Sequence, residues 1–210
     1  MPLIRVCKRF SSFGKFNWLD PLKLEEQLTG EERSISESAI DYAQSNLLPG
    51  IIKANREGHF DRKIMQEFGE RGFLGSTLQG YGCAGASSVA YGLIARAIEA
   101  VDSSYRSALS VQSSLVMHPI WKWGTEAQKK KWLPVLCQGK AIGCFGLTEP
   151  NHGSDPAGLE TKAQKKGDEY ILNGSKTWIT NSPIADVLVV WAKLDNKLHG
   201  FLLERVRSKG

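Results

Sequence analysis

The stretch CFGLTEPNHGSD, residues 144–155, sets an apolar run beside two hydroxyls, two carboxylates, a proline and a Gly-Ser pair. CFGLT reads as a strand and EPNHGSDP as the loop after it. Loops held on a rigid strand are common places for ligand-binding groups. Thr148 and Ser154 offer hydroxyls, Gly153 lets a ligand approach the backbone, and a glycine-containing turn of this kind can aim N–H groups at an anion. The same composition also makes an ordinary turn. A second stretch, KTWITN (176–181), reads as a strand on which Trp178 and Thr180 share a face, because side chains alternate. An indole beside a hydroxyl suits a planar heterocycle, or simply a half-buried sheet. Arg106 and Ser110 are four apart and share a face if their segment is helical. A guanidinium there can grip a carboxylate through two parallel hydrogen bonds; otherwise it is a surface arginine with an incidental neighbour. Glu99, near the end of the preceding helix, is placed to orient it.

These groups need elements to position them. From about Leu22 to Leu136 the pattern is helical. Asp61 is a cap for a helix through Ile64, Met65 and Phe68 that ends near Gly69–Gly72. Ser87 or Ser88 caps the next, with Val89, Leu93, Ile94, Ala97, Ile98 and Val101 along one stripe. Asp102-Ser103-Ser104 stops that helix and caps a further one, which carries Leu109, Gln112, Leu115 and Val116 and ends before Pro119. Thr125 to Gln128 has capping-box spacing and opens a helix that Pro134 terminates. Gly80 to Gly85 is a glycine-rich connector. After Gly139 the period changes. Tyr170–Leu172, Asn173-Gly174 and Ser175–Thr180 read as a β-hairpin with a type I′ turn. Val187–Ala192 is a buried strand, Asp195-Asn196 a turn, and His199–Val206 another strand. Helices first and strands after give an α+β class: an N-terminal all-helical domain followed by an incomplete β-sheet or barrel domain. The strand half has few partners to cover it, so the expectation is a fragment of a longer chain, or one that depends on another chain, with poor stability alone.

Composition excludes several classes. No apolar stretch reaches the length of a membrane span. The net charge of +5 is concentrated at the start: residues 1–19 hold Arg5, Lys8, Arg9 and Lys15 and no acid. With those four of the 27 basic residues set aside, the rest balances the 22 acidic residues to within one, which leaves no nucleic-acid surface. The basic, acid-free opening with Ser11 and Ser12 reads as a mitochondrial transit segment over residues 1–16, or as a basic tail. Cys7, Cys83, Cys137 and Cys144 form no CxxC pair, and His59, His118, His152 and His199 show no ligand spacing, so neither a disulfide framework nor a metal site is read. The thiols read as small buried hydrophobes of a reducing compartment. Lys129–Lys131 reads as a solvated helix face.

CFGLTEPNHGSD followed at this distance by LNGSKTWITN resembles the flavin-binding strands of the acyl-CoA dehydrogenase family. The resemblance extends through FNWLDPLKLEEQLT, GYGCAGASSVAYGL, VDSSYRSALSVQSSLVMHPI, WITNSPIADVLVVWA and GFLLE, covers nearly everything after residue 16, and is strongest to the glutaryl-CoA-oxidising branch. It implies a helical domain over 17–140, a β-domain over 141–210 and a second helical bundle beyond. It implies FAD, with Phe145, Gly146, Leu147 and Thr148 presenting donors to the pyrimidine edge of the flavin, which turns anionic on reduction. Ser154 would bond the flavin pyrophosphate or the CoA tail. Trp178 would pack on the isoalloxazine, Ile179 would continue the cofactor-binding segment, and Thr180 would bond near N5. Glu99, Arg106, Ser107 and Ser110 would surround the distal carboxylate of glutaryl-CoA. His152 departs from the pattern, which has a small residue there, and its ring is expected to point outward. The implied reaction is α-proton abstraction with β-hydride transfer to the flavin and decarboxylation to crotonyl-CoA, in the mitochondrial matrix, with electrons passing to electron-transfer flavoprotein and a homotetramer as the assembly. Its base is a carboxylate expected beyond Gly210, since neither Glu149 nor Glu160 matches the motif. The alternatives are a non-catalytic truncated product or binding module, and a family member acting on monocarboxylic acyl chains.

Overall fold

The computed structural model describes residues 16–18 and 20–205. Nearly all of the basic opening, and Val206, the last residue of the expected final strand, lie outside that range. Helix α1 (Gly30–Tyr42) starts in a reciprocal capping box between Thr29 and Glu32. The second oxygen of Glu32 accepts the Ser87 hydroxyl at 2.7 Å, and Ser87 in turn caps the later helix Ser88–Glu99. One carboxylate therefore pins the starts of two helices that pack together. Helices α2 (Ile51–Glu57) and α3 (Lys63–Glu70) follow; the N-cap position of α3 is Arg62 rather than Asp61, and Asp61, one residue earlier, accepts the Lys63 N–H at 2.9 Å. Helix α3 meets the turn after the later helix Glu126–Cys137 backbone to backbone. A Cβ on Gly139, which sits at φ +65°, would lie 1.9 Å from the Met65 carbonyl oxygen, so no larger residue fits.

Helix α4 (Ser88–Glu99) leads to α5 (Ser103–Ser110), which Asp102 caps through the Ser104 N–H. The expected stop before Pro119 does not occur. The chain runs on through a π-helical stretch, Val111–Met117, into α6 (His118–Trp123). His118 donates to the carbonyl of Ser113, five residues back, directly before the proline. The same five-residue step, Leu48 to Ala43, precedes Pro49. Widening the helix one residue early accommodates a ring that brings no N–H and clashes with the preceding turn. Helix α7 (Glu126–Cys137) has the Thr125–Gln128 capping box but continues three residues past Pro134. Buried Leu133, Leu136 and Cys137 carry it on, because packing outweighs one lost hydrogen bond. Of the lysines of that helix, Lys131 reaches across to Glu204 on the sheet.

The sheet has β4 (Val187–Leu194) at its centre. Strand β1 (Gly143–Gly146) pairs with it in parallel from Gly143↔Val187 to Gly146↔Val190, and β5 (Lys197–Glu204) runs antiparallel along its whole length. Asp195 and Asn196, both at positive φ, make the tight turn between β4 and β5. Strand β2 (Lys162–Lys166) pairs with β4 at Lys162↔Lys193 and with β3 (Glu169–Asn173) along its length. The sheet is not closed. Val187 and Val189 join Val116, Met117, Leu136 and Ile142 in the main core, so helices and sheet bury one continuous apolar interior.

The expected hairpin at Asn173-Gly174 is corrected. Strand β3 turns back on β2 through Gly167-Asp168, with Gly167 at φ +63° where a type II′ turn reserves a place for glycine. Residues 174–181 form no strand. Gly174 crosses Thr161 so closely that a Cβ would lie 2.3 Å from the threonine hydroxyl oxygen, which diverts the chain away from any ladder.

Candidate functional site

Strand β1 is fixed at its entrance by two side chains from elsewhere in the chain. Gln112, fully buried on the π-helical stretch, accepts the Gly143 N–H at 2.8 Å and donates to the carbonyls of Leu136 and Ala141. Asp186 accepts the Ile142 N–H at 2.9 Å and pairs with Arg62 at 2.7 Å. Phe145 is half-buried and Gly146 buried, and the strand ends there. Leu147 and Thr148 leave it and are held by the facing segment. Lys176 Nζ donates to the Leu147 carbonyl at 2.9 Å, and the Thr177 N–H donates to the Thr148 carbonyl at 3.0 Å.

Glu149 anchors the loop. It is 4% exposed and pairs with Lys176 at 2.8 Å. Its oxygens also accept the N–H groups of Glu160 and Thr161 and the Thr161 hydroxyl. Burial alone would raise its pKa, but Lys176 and these donors more than offset that and hold the carboxyl at about 2. Glu149 and His152 exchange both backbone hydrogen bonds, at 3.1 and 3.2 Å, which closes the Glu-Pro-Asn-His turn. The His152 ring does not point outward as expected: it is partly buried, and its Nε2 lies 3.2 Å from Glu160. Glu149, His152 and Glu160 thus bring ligand-type atoms within 4.8 Å of one another, but the Glu149 oxygens are already filled by its ion pair and the donors just described.

Trp178 and Thr180 do not alternate on a strand. Trp178 sits at φ +59°, a conformation uncommon for a bulky residue, and its side chain is 89% exposed. Ile179 is half-buried and Thr180 exposed. Asn181, also left-handed at φ +67°, sends its amide to the carbonyls of Ala108 and Gly143, at 3.4 and 3.3 Å. That amide ties the 178–181 segment both to β1 and to α5, two residues from Arg106. The hydroxyls of Thr148, Ser154 and Thr180 make no hydrogen bond among the described residues. Ser154 is exposed, beyond the closed turn.

The group around Arg106 assembles as the spacing requires. Arg106 Nε bonds Glu99, the last residue of α4, and Nη1 donates to the Ser110 hydroxyl at 3.2 Å. Ser110 donates on to the Ser107 carbonyl at 3.1 Å. The bond from Arg106 holds the Glu99 carboxyl below the usual carboxylate range. Half-buried Arg106 keeps further N–H groups unused among the described residues. Sequence reasoning missed Lys176, Thr161, Gln112 and Asn181 as the fixing groups. Only Asn181 carried a local signal, since asparagine tolerates a left-handed backbone before a Ser-Pro pair.

Family models agree with this architecture in order and extent. That for the acyl-CoA dehydrogenase N-terminal domain matches residues 29–140, and that for the middle domain matches 144–209. The chain belongs to the acyl-CoA dehydrogenase family. Among family members, a mitochondrial isovaleryl-CoA dehydrogenase from Pongo abelii is 37% identical over 171 residues, 80% of this chain and 40% of that protein. A short-chain-specific acyl-CoA dehydrogenase from Megasphaera elsdenii is 36% identical over 191 residues, 86% of this chain and 50% of that one. A crystal structure of a glutaryl-CoA dehydrogenase from Mycobacterium smegmatis in complex with FADH2 superposes with a TM-score of 0.85 at 46% identity, covering 87% of this chain and 47% of that one. This acyl-CoA dehydrogenase chain therefore spans half or less of the length of these relatives. Among its described residues no helix is long and apolar enough to cross a membrane.

Proposed function

We propose that the chain forms the helical and middle portion of an FAD-dependent dehydrogenase of acyl-CoA thioesters, and that the whole protein acts on glutaryl-CoA. The observation that carries this reading is the Asn181 bridge. It puts the Trp178–Thr180 segment on the same backbone support as α5, where Arg106 projects between Glu99 and Ser110. FAD would supply a two-electron acceptor in a flat ring. The residues fit that ring: a bare indole at 178, uncommitted hydroxyls at 148 and 180, and a backbone at 147–148 clamped by Lys176 and Thr177. Donors fixed in advance favour an edge that gains negative charge. Arg106 would hold the far carboxylate of the substrate through its unused N–H groups. Glu149 is no general base, because a carboxyl held at about 2 takes a proton from carbon too weakly near neutrality. The base is proposed to lie in the part of the relatives' length that this chain does not span. Transfer of electrons to electron-transfer flavoprotein, a tetrameric assembly and a mitochondrial matrix location belong to the same proposal; the last rests on the basic opening segment.

One observation favours a monocarboxylic substrate instead: Arg106 is already paired with Glu99, so its charge is partly balanced. The cofactor part of the proposal is tested by titrating the purified protein with FAD and following flavin fluorescence. Saturable quenching is expected, with affinity about tenfold weaker in Trp178→Ala, the effect of losing one aromatic stack of about 1 kcal/mol or slightly more. Equal affinity in both proteins would overturn the proposed position of the ring.

A further inference from the structure

Asn173 ends β3, in register with Lys162 as the last pair of that ladder, and Gly174 follows it. Of the asparagines in the chain, only Asn173 precedes a glycine. Both residues are exposed, and with Glu149 and Glu160 they line one polar cavity open to water. Neither the Asn173 side chain nor the Gly174 N–H makes a hydrogen bond among the described residues. Two other asparagines stand in turns but are tied down. The N–H after Asn151, that of His152, donates to the Glu149 carbonyl at 3.2 Å. The N–H after Asn181, that of Ser182, donates to the Ile179 carbonyl at 3.1 Å, and the Asn181 amide itself holds the carbonyls of Ala108 and Gly143. Asn173 therefore combines an unbonded side-chain amide, an unbonded N–H after it, and a neighbour with no side chain to shield the approach. The flavin and substrate chemistry proposed above uses neither Asn173 nor Gly174.

We infer that Asn173 is a site of spontaneous covalent modification, at which the folded protein converts its own asparagine to aspartate and isoaspartate. The Gly174 nitrogen gives up its proton and attacks the carbonyl carbon of the Asn173 side chain. A C–N bond forms and closes an imide ring as the bond from that carbon to the side-chain nitrogen breaks. The nitrogen leaves with the proton as ammonia. Water, which the cavity admits, then adds to either imide carbonyl and reopens the ring. One opening gives aspartate; the other routes the main chain through the former side chain and gives isoaspartate. In balance, one amide and one water become one carboxyl group and one ammonia, and no electron is transferred. Asparagine counts among the thermolabile residues, and a fold slows such loss where it engages the groups involved. The new carboxylate shares its cavity with Glu149 and Glu160. Isoaspartate also adds a carbon to the main chain just before Gly174 crosses Thr161, which displaces the Lys162↔Asn173 pair.

The test incubates the purified protein in mildly alkaline buffer, folded and, in parallel, unfolded in guanidinium chloride, and follows its proteolytic peptides by mass. A converted asparagine makes its peptide heavier by about one mass unit. In the folded protein the peptide holding Asn173 is expected to convert while those holding Asn151 and Asn181 stay intact. In the unfolded chain Asn181 is expected to lose that protection. Asn173→Gln, at an exposed position and with a side chain too long to close the same ring, is expected to abolish the folded-state conversion. The converted fraction, separable by its added negative charge, is expected to melt about 3 °C lower, the shift that one lost hydrogen bond gives a chain of this size. A converted fraction that melts with the parent would overturn the predicted loss of the Lys162 pair. Asn173 still intact in the folded protein once the unfolded chain has converted fully there, or Asn151 or Asn181 converting ahead of it, would overturn the inference itself. Should the variant fail to fold, the peptide map of the unmutated protein decides the matter alone.

Discussion

Glu149→Ala is expected to lower stability by about 3–5 kcal/mol, the range for removing one partner of a buried ion pair. The substitution strands Lys176, whose side chain is 12% exposed, and leaves the Thr161 hydroxyl and two backbone N–H groups without their acceptor. Urea denaturation at neutral pH measures the loss. The same contact sets an acid transition. Despite burial, the carboxyl titrates at about 2 in the folded protein, against an ordinary value of 4.5. A depressed folded pKa means that the unfolded chain binds the proton first. The contribution is therefore complete above about pH 4.5 and is lost as pH falls from there towards 2. In Glu149→Ala the slope of stability against pH should flatten across that window. The double change Glu149→Gln with Lys176→Met should recover much of the loss, because it removes the stranded charge along with its partner. A single variant within about 0.5 kcal/mol of the parent, the margin of an ordinary surface change, would show that the ion pair does not hold the loop.

Arg106→Gln in the full-length protein is expected to reduce kcat/KM for glutaryl-CoA by about 100-fold, the cost of losing charge-assisted hydrogen bonds to a carboxylate. Turnover of butyryl-CoA, which has no distal carboxylate, should change less than about threefold, since nothing in it pairs with the guanidinium. The thermal midpoint should move little, because Arg106 is partly exposed and its contacts are with Glu99 and Ser110 rather than with the core. Arg106→Lys keeps the charge but loses the two-pronged geometry, so an intermediate loss on glutaryl-CoA alone is expected. Equal losses on both substrates would remove the carboxylate clamp and favour the monocarboxylic reading.

The parts of this fold that were legible in sequence are those whose cause is local. The caps at Ser87, Asp102 and Thr125 form because each side chain reaches an N–H two or three residues away. Strand β4 and its Asp-Asn turn were legible for the same reason: a short apolar run followed by two residues that tolerate positive φ. Pairing is not local. KAQKK forms β2 although it is almost wholly polar, because only Ala163 of its five residues needs to face the interior. Ser175–Thr180 alternates like a strand yet has no edge to join, since Gly174 has already carried the chain across Thr161. At the site, residue types were legible and contacts were not. Arg106 and Ser110 could be joined by helical spacing, but Glu149 and Lys176 lie 27 residues apart, and no pattern in either segment shows that they meet out of water. The prolines at 119 and 134 misled because a proline marks a preference against helix, which a widened turn or a buried apolar face overrides.

The most direct measurement is a crystal structure of the full-length protein grown with FAD. Expected is the isoalloxazine ring covering Trp178, with the hydroxyls of Thr148 and Thr180 within hydrogen-bond distance of its edges and Arg106 facing the space beside it. A ring bound anywhere else, with the indole of Trp178 still open to solvent, would contradict the proposed site.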